Sequence, residues 1–287
     1  MSGTMVAGYE LLEPLPARFH YRARSESGDI VALQILPSWR RSDEALARFN
    51  RELEFEQATR HENVAELLDS GSTLVTDPEL VGGPGAGDVL YIVREFVAGR
   101  TVAQMIDEGV PPMALAISIA IQSARGLAAL HAQNVVHRNL RPETLALRED
   151  GVLKLIDFGL VKILRDEASK GDAFKTEVGQ VVGTAGYMAP EQLRGQKVDA
   201  RTDLFALGAV LYELICGKPP FPTGNLLEYF RAVEHDDPTP LRELRDEVPA
   251  SLEAVIGRML QKDPADRQTS AVEVESELIE VLGDPAI

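Results

Sequence analysis

The chain has almost no cysteine: Cys216 is the only one in 287 residues. An internal disulfide is excluded, and a reducing compartment is the plain expectation. Lysine is missing from the first half, with none before Lys154. Basic residues are outnumbered overall, 29 Lys and Arg against 45 Asp and Glu, for a formal net charge of −16. A field of that sign repels phosphate backbones, which argues against binding DNA or RNA. A local basic strip near Arg18, Arg22 and Arg24 stays open as an exception. Also lacking are a basic stretch followed by an apolar one after Met1-Ser2-Gly3-Thr4, and any run of eighteen uncharged apolar residues. These absences lead to the expectation of a soluble cytoplasmic protein with no membrane span.

What is present is enough for a sizeable core. With 45% apolar residues the chain can form one large domain or two lobes. From Tyr9 to about Val97 short β-rich runs dominate, namely Ile30-Val31-Ala32-Leu33, Leu74-Val75 and Leu90-Tyr91-Ile92-Val93. One helix interrupts them, from a start at Ser42-Asp43-Glu44 through Leu46, Phe49 and Leu53 to Ala58. Gly82-Gly83-Pro84-Gly85-Ala86-Gly87 reads as a hairpin tip in preference to a phosphate-cradling loop, because no Lys-Ser/Thr and no helical pattern follows it. After Gly99 the period turns helical. Pro111-Pro112 opens a segment with Ile117, Ile121, Ala124, Leu127 and Ala128 on one face, ending near His131. Later apolar-periodic stretches run over 204–215, 226–233, 252–260 and 272–282. The pattern predicts an α+β chain: a small β-rich lobe over about 9–97, a hinge over about 97–100 and a mainly helical lobe over about 101–282, all in a single domain.

Several short runs fall in a telling order. They are Val31-Ala32-Leu33-Gln34, Glu52 within Arg48-Phe49-Asn50-Arg51-Glu52, and His137-Arg138-Asn139-Leu140-Arg141-Pro142-Glu143-Thr144. Asp157-Phe158-Gly159, Gly183-Thr184, Ala189-Pro190-Glu191, Asp203 with Gly208, and Arg267 follow. Taken jointly, from Tyr9 to about Leu282, these resemble a bacterial serine/threonine protein kinase, which implies a bilobal fold and a phosphoryl-transfer site.

The resemblance departs from its pattern where the chemistry would sit. The family's strand lysine, which pairs with phosphates and a helix glutamate, is replaced by neutral Gln34, so Glu52 lacks its usual cation. No glycine remains between Leu15 and Ala23, where the family covers the phosphates; Pro16 removes a donor, and Phe19 and Tyr21 add bulk. A tight turn or an apolar plug over an unused cleft is the expected reading there. Asn139 replaces the aspartate base and cannot accept a proton at neutral pH. Thr144 replaces a magnesium-holding asparagine, and Arg141 replaces a lysine whose phosphate contact it could keep.

Other family features persist. Asp157 matches the magnesium carboxylate, although it could equally be a structural acceptor. The resemblance implies structural roles for His137, for a Glu191–Arg267 brace and for Asp203 as an anchor of the catalytic-loop backbone. Arg94 falls where the family puts an apolar residue at the rear of the nucleotide cleft. A buried charge there needs a partner, and Glu52 or Asp157 is the expected one, protein then filling the place of ATP; a one-residue slip would leave Arg94 in solvent. Ser169 and Thr176, between Leu160 and Ala189, are candidate phosphate acceptors in a segment that could equally be a solvated loop.

Three functions follow as expectations. The foremost is a pseudokinase, a regulatory or scaffolding module that engages a protein partner, such as an active kinase or signalling protein, with weak or absent binding of ATP and Mg²⁺. The others are a nucleotide-responsive switch holding ATP through Asp157 and Arg141, and a kinase with residual or unconventional activity.

Overall fold

The computed structural model describes residues 4–15, 19–37, 59–81, 85–156 and 185–283, with Leu53 and Gln57. Two compact units emerge. One holds Ala65–Ala98 and the described residues before Glu62; the other holds Glu62–Val64 and the described residues from Gly99 onward.

The first unit is built on strands β1 (Met5–Val6), β2 (Tyr9–Pro14), β3 (His20–Arg24), β4 (Ile30–Pro37), β5 (Leu67–Val75) and β6 (Gly87–Glu95), with a helical turn α1 (Pro78–Val81) between the last two. They form one antiparallel sheet in the order β1-β2-β3-β4-β6-β5. Two-residue alternation sorts the side chains. Tyr21 and Ala23 of β3, Val31, Leu33 and Ile35 of β4, and Val89 and Val93 of β6 join Leu11, Val75 and Leu80 in one apolar core. The pairings Tyr21↔Leu33 and Leu33↔Val93 put these residues on one face. His20, Gln34, Ala32 and Arg94 fall on the other, through His20↔Gln34 and Ala32↔Arg94. Gly28, at φ +93°, takes a left-handed conformation in the β3–β4 turn that costs glycine nothing. The hydroxyls of Tyr9 and Tyr91 both donate to Asp69 Oδ2, at 3.2 and 3.3 Å, tying β2, β5 and β6 together. Burial foremost, with the Asp69 charge behind it, pushes the Tyr9 phenol up to about 12.

The second unit has a small antiparallel sheet of β7 (Gly99–Thr101), β8 (Leu145–Arg148) and β9 (Leu153–Leu155). Its helices are α2 (Val102–Glu108), α3 (Met113–Ala132), α4 (Pro190–Leu193), α5 (Ala200–Cys216), α6 (Leu226–His235), α7 (Leu241–Leu244), α8 (Ala250–Met259) and α9 (Ala271–Leu282). Local chemistry sets their starts. Thr101 and Gln104 form a capping box on α2, while Asp199, Asn225 and Ser270 accept first-turn amides of α5, α6 and α9. Gly217 closes α5 in the left-handed region.

At the centre α3 packs on α5, α9 and β9, and α5 on α8. Helix α3 is long and apolar enough, by length and composition, to cross a membrane. Arg125 interrupts its apolar run, so no eighteen consecutive residues of it are uncharged. In the fold Ile117, Ala120, Ala124 and Leu127 of this helix lie in the core, and Arg125 pairs at the surface with Glu275 of α9 at 2.7 Å.

Most of the expected Ser42–Ala58 helix lies outside the described residues; Leu53, within it, is buried and helical. The glycine cluster sits in the connection between the paired strands β5 and β6, with Gly82–Pro84 outside the described residues and Gly87 already in β6. Of the arginines that could have made a basic strip, Arg22 pairs with Glu13 at 2.9 Å and Arg24 with Glu10 at 3.2 Å, while Arg18 is outside the described residues. Opposed charges across the β2–β3 ladder neutralise what the linear sequence left as a run of arginines.

Candidate functional site

In the first unit the site begins with register. Gln34 sits diagonally across from Arg94 on adjacent strands, on the sheet face opposite the apolar core. Both side chains are buried, Gln34 to 2% and Arg94 to 5% exposure, so the solvent-facing alternative for Arg94 is overturned. The Arg94 guanidinium donates from Nη1 to Gln34 Oε1 at 3.1 Å. The buried cation thus contacts a neutral amide among other partners; Glu52 and Asp157, the expected ones, lie outside the described residues. Among the described residues the buried amide nitrogen of Gln34 has no hydrogen-bond partner. His20, directly paired with Gln34, adds a third polar side chain to this face.

The hairpin that leads here differs from a phosphate cradle. Leu15 N–H donates to His20 C=O at 2.8 Å, which closes β2 onto β3 around Pro16–Arg18, themselves outside the described residues. Phe19 takes φ +63°, a conformation strained for a side chain of its size. Phe19 packs on the sheet's own core and Tyr21 belongs to it, which corrects the plug reading: alternation turns both away from the face of Gln34.

In the second unit the run from His137 to Thr144 is held by α5. Asp203, fully buried in the first turn of that helix, accepts the backbone amides of His137 and Arg138, each at 2.8 Å, and the ring Nε2 of His131 at 2.8 Å. Burial pushes the Asp203 carboxyl up, but the His131 hydrogen bond, the charges of His131 and His137 and the Arg138 amide outweigh it and hold it below the usual range. These bonds keep Arg138 at φ +61°, a left-handed conformation that a side chain adopts only under constraint, and Gln192 Nε2 fixes its carbonyl from α4 at 3.2 Å. His137 is wholly buried, and its Nδ1 accepts the Asn139 amide at 3.4 Å, so it serves as a strut of the loop.

Within the loop Thr144 is fully buried. Its hydroxyl accepts the Arg141 amide at 3.0 Å and donates to the Arg141 carbonyl at 2.9 Å, closing a turn on itself. The hydroxyl is thus engaged with the loop's own backbone, at a position where the resemblance had already marked a departure from the family's asparagine. Arg141, mostly buried, lies 3.6 Å from Glu143. Asn139 is half-buried, and among the described residues its side-chain amide accepts and donates no hydrogen bond.

The same unit also contains a buried ion pair. Arg267 donates two hydrogen bonds to Glu191, at 2.8 and 3.0 Å, and Thr202 adds a third at 2.8 Å. Burial raises the Glu191 carboxyl and the Arg267 contact more than reverses that, leaving it below its ordinary value. The Phe205 ring lies under the guanidinium at 4.9 Å.

The protein kinase domain family matches residues 20–279. The chain belongs to that family. A probable serine/threonine-protein kinase of Clostridium perfringens is 32% identical over 287 residues, 97% of this chain and 39% of that protein. The serine/threonine-protein kinase PknB of Mycobacterium leprae is 32% identical over 235 residues, 82% of the chain and 36% of its own length. PknB of Mycobacterium tuberculosis is 31% identical over 240 residues, 83% and 36%. The chain thus spans less than two fifths of these relatives, and within the family it falls among bacterial serine/threonine kinases.

As a kinase domain, it has a β-rich N-terminal region and a helical C-terminal region, as its motif order implies. Its kinase positions divide in two. The struts Asp203, His137, Glu191 and Arg267 are assembled with every contact described above. The positions that would handle phosphate and metal, Gln34, Asn139 and Thr144, hold neutral groups, two of them engaged with neighbours. Glu52, Asp157, Ser169 and Thr176 lie outside the described residues. Motif reading missed His20, His131 and Gln192; only His131, six residues before the loop, left a signal, as a polar residue ending an apolar helix.

Proposed function

We propose that this kinase-family chain is a pseudokinase: a regulatory or scaffolding module that engages a protein partner and transfers phosphate negligibly, if at all. The observation that carries the reading is the Arg94–Gln34 hydrogen bond, both side chains buried, at the strand position where the family places its phosphate-pairing lysine. Mg²⁺ and ATP do not fit the groups described. Position 34 offers an amide whose oxygen is already taken, position 144 a hydroxyl folded back on Arg141, and position 139 no proton acceptor. Loss of a positioned base alone removes about 10²–10⁴ in rate. The protein partner and a cytoplasmic setting belong to the same proposal.

Residual kinase activity is the second reading. It is favoured by the names of the relatives, all serine/threonine kinases, and by Asp157-Phe158-Gly159 in the sequence.

Thermal unfolding with ATP, with and without Mg²⁺, tests both. A ligand at a hundred times its dissociation constant stabilises by about 2.7 kcal/mol, several degrees for a chain of this size. We expect no shift, and no incorporation of labelled phosphate from ATP into the chain or a generic acceptor protein. A Mg²⁺-dependent shift with incorporation would establish the kinase reading in its place.

A further inference from the structure

We infer that Arg22 is a built-in occupant of the sheet face that carries Gln34: laid over strand β4 to the ring of Phe96, its guanidinium takes the place where the flat base of a nucleotide would rest. This rests on the pseudokinase reading and deepens it, by adding to the neutral groups at the phosphate positions a contact that closes the base position.

Register sets the geometry. Arg22 of β3 pairs directly with Ala32 of β4, two residues before Gln34, so the three side chains share one face. Strand β4 runs between β3 and β6, which puts those two strands about 10 Å apart. Phe96 is the first residue beyond β6, one step past the pair Val31↔Glu95. The Arg22 guanidinium nevertheless stands over the Phe96 ring, 5.3 Å from its centroid. The two side chains therefore meet above β4, at its Ala32 end. A nucleotide whose phosphates reached position 34 would carry its base along this face, and Ala32 has the small side chain on which a flat ring can lie. Two further observations show the arginine held down. Glu13, opposite Arg22 on β2, accepts from Nη1 at 2.9 Å. Arg22 Nε is buried, with no hydrogen-bond partner among the described residues, so the stem lies against the sheet. An arginine that served only solubility would keep that N–H in water. The guanidinium is itself a flat group suited to an aromatic face, as a base is.

Adenosine has the base and no phosphate, so it probes this position without calling on Gln34, Asn139 or Thr144. Thermal unfolding with about 5 mM adenosine is the test. The unsubstituted chain is expected to show no shift, and R22A to rise by about 2 °C or more, as a ligand several-fold above its dissociation constant produces. Should R22A fail to fold, R22Q carries the same test, since its shorter side chain does not reach Phe96. No rise in the substituted chain, or an equal rise in both chains, would overturn the occupancy. Stabilisation of the unsubstituted chain by ATP would instead overturn the pseudokinase reading, and the comparison of the two chains with adenosine would still decide the place of Arg22.

Discussion

Thr144 shows how one substitution redirects a loop. Its hydroxyl spans the amide and the carbonyl of Arg141, the work a side-chain cap does at a helix start. Thr144→Val keeps the shape and leaves a buried amide without its acceptor, so we expect a loss of about 1–3 kcal/mol in urea denaturation. Thr144→Ser, which keeps the hydroxyl, should lose less than half as much. Which positions had changed was legible in the sequence, because Gln34, Asn139 and Thr144 stand in fixed places within recognisable runs. What the new residues touch was not. The Arg94–Gln34 contact joins positions 60 residues apart and depends on which strands are neighbours, a fact of topology that no local run carries. Charge logic pointed Arg94 toward Glu52 or Asp157, which lie outside the described residues; the contact with Gln34 came in addition to that expectation.

At the scale of elements, periodicity gave the helices well. The stretches expected over 204–215, 226–233, 252–260 and 272–282 correspond to α5, α6, α8 and α9, each within a few residues. Strand β5 was mostly missed. Its middle, Asp69-Ser70-Gly71-Ser72, is polar because the strand lies at the sheet edge, and only Leu74-Val75 stood out as β-like. Close helix packing at Gly208 was equally invisible. A side chain there would come within 2.8 Å of Met259 Cβ, so α5 and α8 approach only because position 208 has none. Gly208→Ala should cost about 1–3 kcal/mol by forcing the two helices apart, despite the better helix propensity of alanine. A Tm unchanged or raised in that variant would show that the helices can shift apart freely.

For the whole molecule, two effects of acid oppose each other. With a net charge of −16 at neutral pH, acidification first relieves repulsion among surface carboxylates, toward a sequence pI near 4.8. Asp203 and Glu191 act the other way. Each ionises more readily in the folded chain than unfolded, so each contributes stability that is complete above the unfolded carboxylate range and drains away as pH falls through the folded values. The expected Tm is flat or rising from pH 7 to about 5 and falls below about 4. A Tm that continued to rise to pH 3 would mean that neither buried carboxylate matters to the fold.

The central helix α3 carries a consequence for how the chain comes into being. Its Met113–Ala132 stretch is apolar enough for a bilayer, and its principal cover, α9, begins only at Ala271. At about 5–20 residues per second, synthesis leaves some tens of seconds at most, and about seven at least, in which the ribosome has released this apolar segment without its lid. Whatever shelters nascent apolar segments has this one to cover until α9 arrives, and a chain cut short before α9 would never be rid of that need.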